Sequence, residues 1–180
     1  MAEEGEIYWF SPERRGVIPL DERFHIPRGL RKALRKEPYE IRRNTAFREV
    51  MEGCAKRAET WIDDNILDSY CELFELGFAH SFECWDEEGL QGGLYGVRLG
   101  DVFFGESMFS DKVDASKIAL VHLVEWMRAE GMTLLDTQWL TEHLKQFGGM
   151  EIPRGVYLGL LEEALLSHEL ESSHREKEEI

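Results

Sequence analysis

The middle of the chain constrains the fold more strongly than any other part. Three strand-like segments, at residues 80–85, 90–99 and 102–109, are separated only by the polar turns DEEG and Gly100-Asp101. Connections this short join neighbouring antiparallel strands, because a parallel pair needs a crossover of about a dozen residues or more. The sequence therefore predicts a three-stranded antiparallel meander at the centre of the fold.

Helical patterns flank this meander on both sides. The predicted helices lie at residues 27–37, 44–58, 63–76, 115–130, 141–146 and 155–166. Asp114 is predicted to cap the fourth helix, and a further strand is predicted at residues 133–138. A meander followed by a helix and a strand predicts an α+β fold of the N-acetyltransferase type, with helices on a mixed, mostly antiparallel sheet.

The chain divides by composition into three predicted parts. Residues 1–43 form a short N-terminal lobe that contains a basic helix, and residues 44–166 form an N-acetyltransferase-like catalytic domain. Residues 167–180 are charged and contain few apolar side chains. This last part is therefore predicted to be a frayed tail.

The composition restricts the class of protein. The chain has 180 residues, and 43% of them are hydrophobic, as in a globular domain. No apolar run approaches the roughly 20 residues of a membrane span, and the acidic N-terminus MAEEGEIYWF does not resemble a secretory signal. We therefore expect a cytoplasmic protein without a membrane partner. Cys54, Cys71 and Cys84 are odd in number and widely spaced, which predicts reduced, packed thiols, and the histidines predict no metal site.

The basic residues are concentrated near the N-terminus, although the net charge of the chain is −15. Between Phe24 and Arg43, seven basic residues stand against two acidic ones. On a helix, five of these form one stripe: Arg28, Arg31, Lys32, Arg35 and Lys36. Such a stripe either follows the phosphates of a nucleic acid or is a solvated helix face, and both interpretations stay open at this point.

The loop before the fourth helix bears on the acyl donor. N-acetyltransferases hold the pyrophosphate of coenzyme A on a glycine-rich turn at this place, whereas the sequence here is SDKVDASK and contains no glycine. The backbone amides that coenzyme A needs are therefore not predicted, although Lys112 and Lys117 could meet a lone phosphate. We expect a different acyl donor and no cofactor.

A set of short motifs runs from residue 8 to residue 154, within a match that covers roughly Tyr8 to Leu161. They are YWFSP at 8–12, FHIPRGLRK at 24–32, EGCA at 52–55, TWI at 60–62, AHSFECW at 79–85, GGLYGV at 92–97, FFGESMFS at 103–110, ASK at 115–117, LLDTQ at 134–138 and EIPR at 151–154. Together they resemble the leucyl/phenylalanyl-tRNA-protein transferases, and GESMFS followed by ASK and D-x-Q is the most specific part. The resemblance implies transfer of Leu or Phe from Leu-tRNA or Phe-tRNA to proteins that begin with Arg or Lys, which marks them for degradation. It implies no binding of DNA, and it leaves Met open as a third donor.

Asp136 and Gln138 are candidates for the chemistry that this transfer requires. An aminoacyl ester is already activated, so the protein must place an amine against the carbonyl carbon, remove a proton and stabilise an oxyanion. Asp136 and Gln138 stand two apart on a predicted strand and are expected to face the same side, where the carboxylate can orient the amide or accept the proton. Strand decoration is the alternative. The resemblance implies that these two positions carry the catalytic relay.

Glu106 stands between Gly105 and Ser107 in an apolar strand end. On its own it fits a solvated strand end. The resemblance instead implies a catalytic-site carboxylate at the mouth of an apolar pocket, where it attracts the cationic first residue of the acceptor and helps to align the amine. Strict alternation puts Phe103 and Glu106 on opposite faces, so their use in one site predicts a β-bulge near Gly105.

The resemblance also assigns an apolar pocket to the donor side chain. The pocket residues are Leu94, Phe103, Met108, Leu120 and Leu135, with Trp61 as a stacking partner. Some of these apolar residues are expected to be ordinary core. Family members carry a further N-terminal segment whose GIFPW-like motif contributes a stacking tryptophan. The sequence here begins after that motif, so Trp9 and Phe10 are the candidates to replace it.

Two other functions are compatible with parts of the sequence. One is a coenzyme A-dependent N-acyltransferase, which the glycine-free loop argues against. The other is a non-catalytic module that binds tRNA or protein N-termini. The joint presence of Glu106, Asp136 and Gln138 argues against this second alternative.

Overall fold

The computed structural model describes residues 2–3, 6–7, 10–57 and 60–178, with side chains at 10–57 and 60–166. Its strands are β1 (Ala2–Glu3), β2 (Glu6–Ile7), β3 (Arg14–Ile18), β4 (Glu40–Arg43), β5 (Ala79–Asp86), β6 (Gly89–Leu99), β7 (Val102–Ser110), β8 (Leu134–Gln138) and β9 (Met150–Pro153). Its helices are α1 (Arg28–Leu34), α2 (Phe47–Ala55), α3 (Asp64–Glu75), α4 (Ala115–Ala129), α5 (Glu142–Lys145) and α6 (Arg154–Glu178).

Seven strands form one sheet in the order β4-β5-β6-β7-β8-β3-β9. Neighbouring strands are antiparallel except for β7 and β8, which are parallel and are connected through α4. The predicted meander is confirmed, because β5, β6 and β7 are consecutive in the chain and adjacent in the sheet. The fold is therefore mixed α+β with a mostly antiparallel sheet.

Helices cover both faces of this sheet. On β6, Leu94 belongs to the same buried cluster as Leu120 of α4 and Leu30 of α1. The next residue, Tyr95, belongs to a cluster with residues of α2 and α3. Because successive strand residues point to opposite faces, α4 and α1 lie on one side of the sheet and α2 and α3 on the other. Tyr157 of α6 belongs to a third cluster, which also contains residues of β3, β7 and β8.

The start of α4 differs from the prediction. Asp114 precedes the helix in a left-handed conformation with φ of 63° and makes no side-chain capping bond. Its carboxylate instead pairs with Lys117 Nζ at 2.8 Å, which turns it away from the backbone amides of the first turn. The expectation that Asp114 caps α4 is therefore wrong, whereas Asp63 does cap α3 by accepting the Ile66 N–H at 2.8 Å.

Short strands and one helix length also differ from the predicted pattern. β3 and β4 come from the predicted N-terminal lobe, yet both belong to the main sheet, and the division at residue 43 stays a prediction. α6 continues to Glu178, past the predicted end at residue 166, because the stretch is rich in the strong helix formers Glu, Leu, Lys and Arg. Residues 179–180 of the predicted tail lie outside the described residues.

Two other observations concern the chemistry of the chain. Cys54 and Cys84 are buried and Cys71 is partly buried, and all three are free thiols, as expected. Across the described ranges, no helix combines the length and apolar character that a membrane crossing requires.

Candidate active site

A cavity opens where β7 and β8 part. The two strands pair only from Val102↔Leu134 to Phe104↔Asp136. Residues that follow on both strands line a cavity of about 960 Å³, at the upper end of the size range of ligand pockets. Residues from α2, α3, α4 and α5 also line it, including Gly53, Tyr70, Leu120 and Leu144. The splay between the parallel strands therefore opens a cavity at this edge of the ladder.

A β-bulge places Glu106 in this cavity. Across the β6–β7 ladder, Tyr95 pairs with Ser107 and Gly96 pairs with Gly105, so Glu106 has no partner. The predicted bulge near Gly105 is thereby confirmed. Gly96 is needed opposite it, since a Cβ atom there would lie 2.2 Å from the Phe104 carbonyl oxygen. The bulge breaks strand alternation, and Glu106 lines the cavity instead of decorating a solvated strand end.

The environment of Glu106 favours its neutral form. Burial raises its pKa from 4.5 to about 7, and the nearby Asp136 carboxylate acts in the same direction. A hydrogen bond with Tyr70 and the positive charge of Arg15 act in the opposite direction but do not cancel the effect of burial. Glu106 can consequently exchange a proton near neutral pH, which is the property required of a general acid or base.

Asp136 lies behind the cavity wall, with its side chain fully buried. Arg15 binds the carboxylate through two nitrogens on one edge of its guanidinium, Nε to Oδ1 at 2.9 Å and Nη2 to Oδ2 at 2.6 Å. The Tyr157 hydroxyl donates to Oδ2 at 2.8 Å, and the Gln138 backbone N–H donates to Oδ1 at 2.8 Å. The carboxylate thus contacts the main chain of Gln138, whereas the sequence predicted contact with its amide side chain.

A second bulge separates Asp136 from Gln138. On β3, Val17 pairs with Asp136 and Gly16 pairs with Gln138, so Thr137 is the extra residue. Gln138 has a left-handed backbone with φ of 57°. The assumption of regular alternation between Asp136 and Gln138 was therefore wrong, and Gln138 lines the cavity while Asp136 does not.

The structure separates the predicted donor-pocket residues into two groups. Five of them line the cavity: Trp61, Leu94, Met108, Leu120 and Leu135. Phe103 does not line it, because its side chain is 0% exposed in the core and makes an edge contact with Trp126 at 6.1 Å between ring centroids. Phe103, which the resemblance assigned to the donor pocket, is thus part of the core.

Aromatic residues line the cavity from two sides. Trp61 makes an edge contact with Tyr70 of α3 at 6.3 Å. Phe10 makes an edge contact with Trp139, just after β8, at 6.1 Å, and these two side chains are 52% and 44% exposed. Trp9, the other residue that the sequence proposed for stacking, lies outside the described residues.

The basic stripe is solvent-exposed. Its members are Arg28, Arg31, Lys32, Arg35 and Lys36, and none of them forms a salt bridge with a residue that the structure describes. The segment before α1 is fixed near the cavity, since the His25 N–H donates to the Phe147 carbonyl at 3.0 Å and the His143 ring lies 5.9 Å from Phe147. His143 lines the cavity. The segment that leads into α1 is therefore attached next to a residue of the cavity wall.

Several residues at the site carried no signal in the sequence. Arg15, Tyr70 and Trp139 line the cavity, and Tyr157 reaches Asp136 from α6. Lys56 and Arg57 are exposed at the end of α2 and also line the cavity, so positive charge is present there as well. The sequence motif GESMFS pointed to the carboxylate, but not to these partners, which come from distant parts of the chain.

Comparisons with known proteins agree on one family. Residues 17–162 match the model of the family described as leucyl/phenylalanyl-tRNA protein transferase. The chain is 58% identical over 166 residues to the leucyl/phenylalanyl-tRNA–protein transferase of Akkermansia muciniphila, covering 91% of this chain and 86% of that protein. It is 54% identical over 167 residues to the protein of the same name from Paramagnetospirillum magneticum, covering 91% and 79%. A third, from Herpetosiphon aurantiacus, is 52% identical over 165 residues, covering 92% and 86%.

A solved structure shares the fold. The structure of L-PGS from Bacillus licheniformis superposes with a TM-score of 0.52 at 14% sequence identity. The match covers 77% of this chain and 57% of that chain. At this identity the likeness concerns the fold alone.

Proposed function

Since this chain belongs to the leucyl/phenylalanyl-tRNA protein transferase family, we propose that it moves Leu or Phe from aminoacyl-tRNA to proteins that begin with Arg or Lys. The new residue joins the N-terminal α-amino group and acts as a degradation signal. One observation carries the proposal most directly. A single cavity is lined both by apolar residues that suit a Leu or Phe side chain and by Glu106, an ionisable carboxyl group that suits a cationic acceptor.

Glu106 has two roles in this proposal. Its carboxylate attracts the cationic side chain of the acceptor's first residue, because a charge-assisted contact is stronger than a neutral hydrogen bond. It also helps to align the attacking amine, and with a pKa of about 7 it can accept a proton from that amine near neutral pH. The amine nitrogen then forms a bond to the acyl carbon, and the ester oxygen leaves with a proton as the ribose hydroxyl.

The donor occupies the apolar part of the cavity. Leu94, Leu120 and Leu135 contact its side chain, and Trp61 stacks on its ring or on the terminal base of the tRNA. The exposed stripe on α1 and the two residues after it, joined by Lys56 and Arg57 at the cavity, neutralises phosphates of the tRNA body and acceptor end. The shape of this apolar wall determines whether Leu, Phe or Met is preferred as the donor amino acid.

Transfer proceeds directly from the ester, without a covalent enzyme intermediate. Burial raises the pKa of the Cys54 and Cys84 thiols to about 12, so neither is a thiolate at neutral pH. Because an aminoacyl ester is already activated, placement of the two substrates and stabilisation of the oxyanion are sufficient.

We also propose that the fold is of the N-acetyltransferase type. A parallel strand pair that is joined by a helix and parts beside a bulge supports this assignment. The aminoacyl ester then occupies the opening between these strands in place of an acyl thioester. The glycine-free loop SDKVDASK at the start of α4 supports a donor other than coenzyme A.

The test is a transfer assay with labelled Leu-tRNA and peptides that differ only in their first residue. We expect label in peptides that begin with Arg or Lys, and little in a peptide that begins with Ala. A matched control is Glu75→Gln, which removes an exposed carboxylate at the end of α3 and should leave transfer unchanged. Absence of transfer to every peptide, or transfer from an acyl-coenzyme A instead, would overturn the proposed function.

A further inference from the structure

We infer that Arg15 and Tyr157 are positioning residues, which hold Asp136 so that its carboxylate fixes the backbone of Gln138 at the cavity. The inference rests on the proposed function, because Gln138 lines the cavity in which transfer is proposed, but its geometric part concerns only the described residues. In this arrangement Asp136 acts on the shape of the site and takes no proton from the substrate.

Hydrogen bonding leaves little capacity on Asp136 for any other partner. Its two oxygens accept from Arg15 Nε and Nη2, from the Tyr157 hydroxyl and from the Gln138 N–H, all within 2.9 Å. Two carboxylate oxygens offer about four lone-pair sites, so these four donors saturate the group. A saturated and fully buried carboxylate is a poor acceptor for a substrate proton and a good anchor for its neighbours.

Gln138 needs support from its surroundings, because its backbone conformation is unfavourable. A non-glycine residue with φ of 57° is uncommon and persists only where its surroundings determine it. The bond from its N–H to Asp136 Oδ1 supplies part of that support. The side-chain amide of Gln138 makes no hydrogen bond to any residue in the described ranges, so it is available to a substrate in the cavity.

Gly16, the residue after Arg15, packs against the backbone turn that follows Gln138. Gly16 pairs with Gln138, and a Cβ atom at Gly16 would lie 2.6 Å from the Trp139 carbonyl carbon and 2.7 Å from the Leu140 nitrogen. Only glycine therefore allows the turn to close over β3. Arg15 and Gly16 are consecutive, so one dipeptide holds the carboxylate and makes room for the turn that it fixes.

Tyr157 supports Arg15 as well as Asp136. The guanidinium carbon lies 5.0 Å from the centre of the Tyr157 ring, a distance at which cation–π attraction operates. Burial and the nearby Asp136 raise the pKa of Tyr157, so its hydroxyl stays protonated and continues to donate. β3, β8 and α6 are thereby connected at one buried point behind the cavity wall.

Tyr157→Phe is the variant that tests this inference, because it removes one hydrogen bond and keeps the ring beside Arg15. Arg15 variants would leave a buried carboxylate unpaired and risk loss of the fold. We expect kcat to fall roughly tenfold, with little change in KM for either substrate, since misplacement of Gln138 affects the transition state more than substrate binding. Tyr39→Phe is the matched control, because it removes a hydroxyl that donates to the Val113 carbonyl on another part of the surface, and it should leave kcat unchanged.

A double variant separates positioning from a general loss of stability. If Tyr157 acts through Gln138, Tyr157→Phe should have no further effect on kcat when Gln138→Ala is already present. Full, independent losses from the two substitutions would overturn the inference. A loss of kcat in Tyr39→Phe equal to that in Tyr157→Phe would also overturn it.

A spectroscopic readout keeps this test separate from the proposed function. The chain contains three glutamines, at positions 91, 138 and 146, so selective 15N labelling yields three backbone amide signals. Tyr157→Phe should shift the Gln138 signal and accelerate its hydrogen exchange, while the other two remain in place. If the parent transfers no amino acid, the proposed function fails, but this geometric result still stands or falls on its own. Unchanged Gln138 signals would overturn the inference whatever the activity.

Discussion

Substitution of Glu106 by Gln should stabilise the protein at alkaline pH while it impairs the proposed activity. Folding raises the pKa of this carboxyl group from 4.5 to about 7, chiefly by burial. The folded state therefore binds the proton more tightly than the unfolded state. The resulting loss of stability is absent below the unfolded pKa, grows as the pH rises from 4.5 to about 7, and stays constant above that.

The size of this change in the free energy of unfolding follows from the shift in the pKa of Glu106. One pKa unit corresponds to about 1.4 kcal/mol, so a shift of about 2.5 units corresponds to roughly 3 kcal/mol above pH 7. Gln has nearly the same size, cannot ionise and can still accept a hydrogen bond from Tyr70. For a domain of this length, roughly 2 to 4 °C of melting temperature accompany each kcal/mol. The expected upper limit is thus a rise of roughly 6 to 12 °C at pH 8.5.

The assay is thermal unfolding of the parent and the variant at pH 4.5 and at pH 8.5. The difference between the two proteins should be small at pH 4.5 and large at pH 8.5. Glu75→Gln is the control, since this carboxylate is exposed and its removal should change the melting temperature little at either pH. A Glu106→Gln variant that is no more stable than the parent at pH 8.5 would show that burial does not hinder ionisation of Glu106.

Three further predictions concern the substrates and the core. Glu106→Gln should raise KM for Arg- and Lys-starting peptides and lower their kcat/KM roughly ten- to a hundredfold, without weakening donor binding. Equal loss with neutral-starting peptides would assign Glu106 to the reacting amine alone. Replacing four stripe residues by Ala (Arg31, Lys32, Arg35 and Lys36) should weaken aminoacyl-tRNA binding and flatten its salt dependence in a titration, whereas an unchanged slope would leave the stripe a solvated face. Because Phe103 lies in the core, Phe103→Leu should lower the melting temperature by several degrees and leave the ratio of Leu to Phe transfer unchanged in competition assays. An altered ratio would show that Phe103 contacts the donor side chain.

Local patterns in the sequence were sufficient for the central elements. The meander and α4 follow from alternation, helical periodicity and turn residues, which act over a few positions. The bulge at Glu106 was also predictable, because Phe103 and Glu106 could not share a site on a regular strand. The structure confirms the bulge but leaves Phe103 outside the cavity, so a correct prediction followed from a premise that was only half right.

Long-range contacts explain what the sequence could not provide. β3, β4 and β9 are four or five residues long and carry charged residues, so they lack the alternation of a buried strand. Arg15 and Asp136 are 121 positions apart, and nothing near either residue indicates the other. The second bulge depends on Gly16 lying under the turn at Trp139, which only the paired strands bring together.

The two bulges together account for the position of the site. A parallel pair of strands normally continues its hydrogen bonds to the strand ends, but here a bulge at Glu106 on β7 and one at Thr137 on β8 coincide with the place where pairing stops. Glu106 is the unpaired residue of the first, and Gln138 follows the unpaired residue of the second, so both lie where the strands separate. The opening exposes polar residues inside an otherwise apolar sheet. Ionisation of the buried Glu106 carboxyl group costs stability, and the left-handed backbone of Gln138 needs its hydrogen bond to Asp136. A variant that restored regular pairing at either strand should therefore gain stability and lose the cavity, because the irregularity and the site are the same feature of the fold.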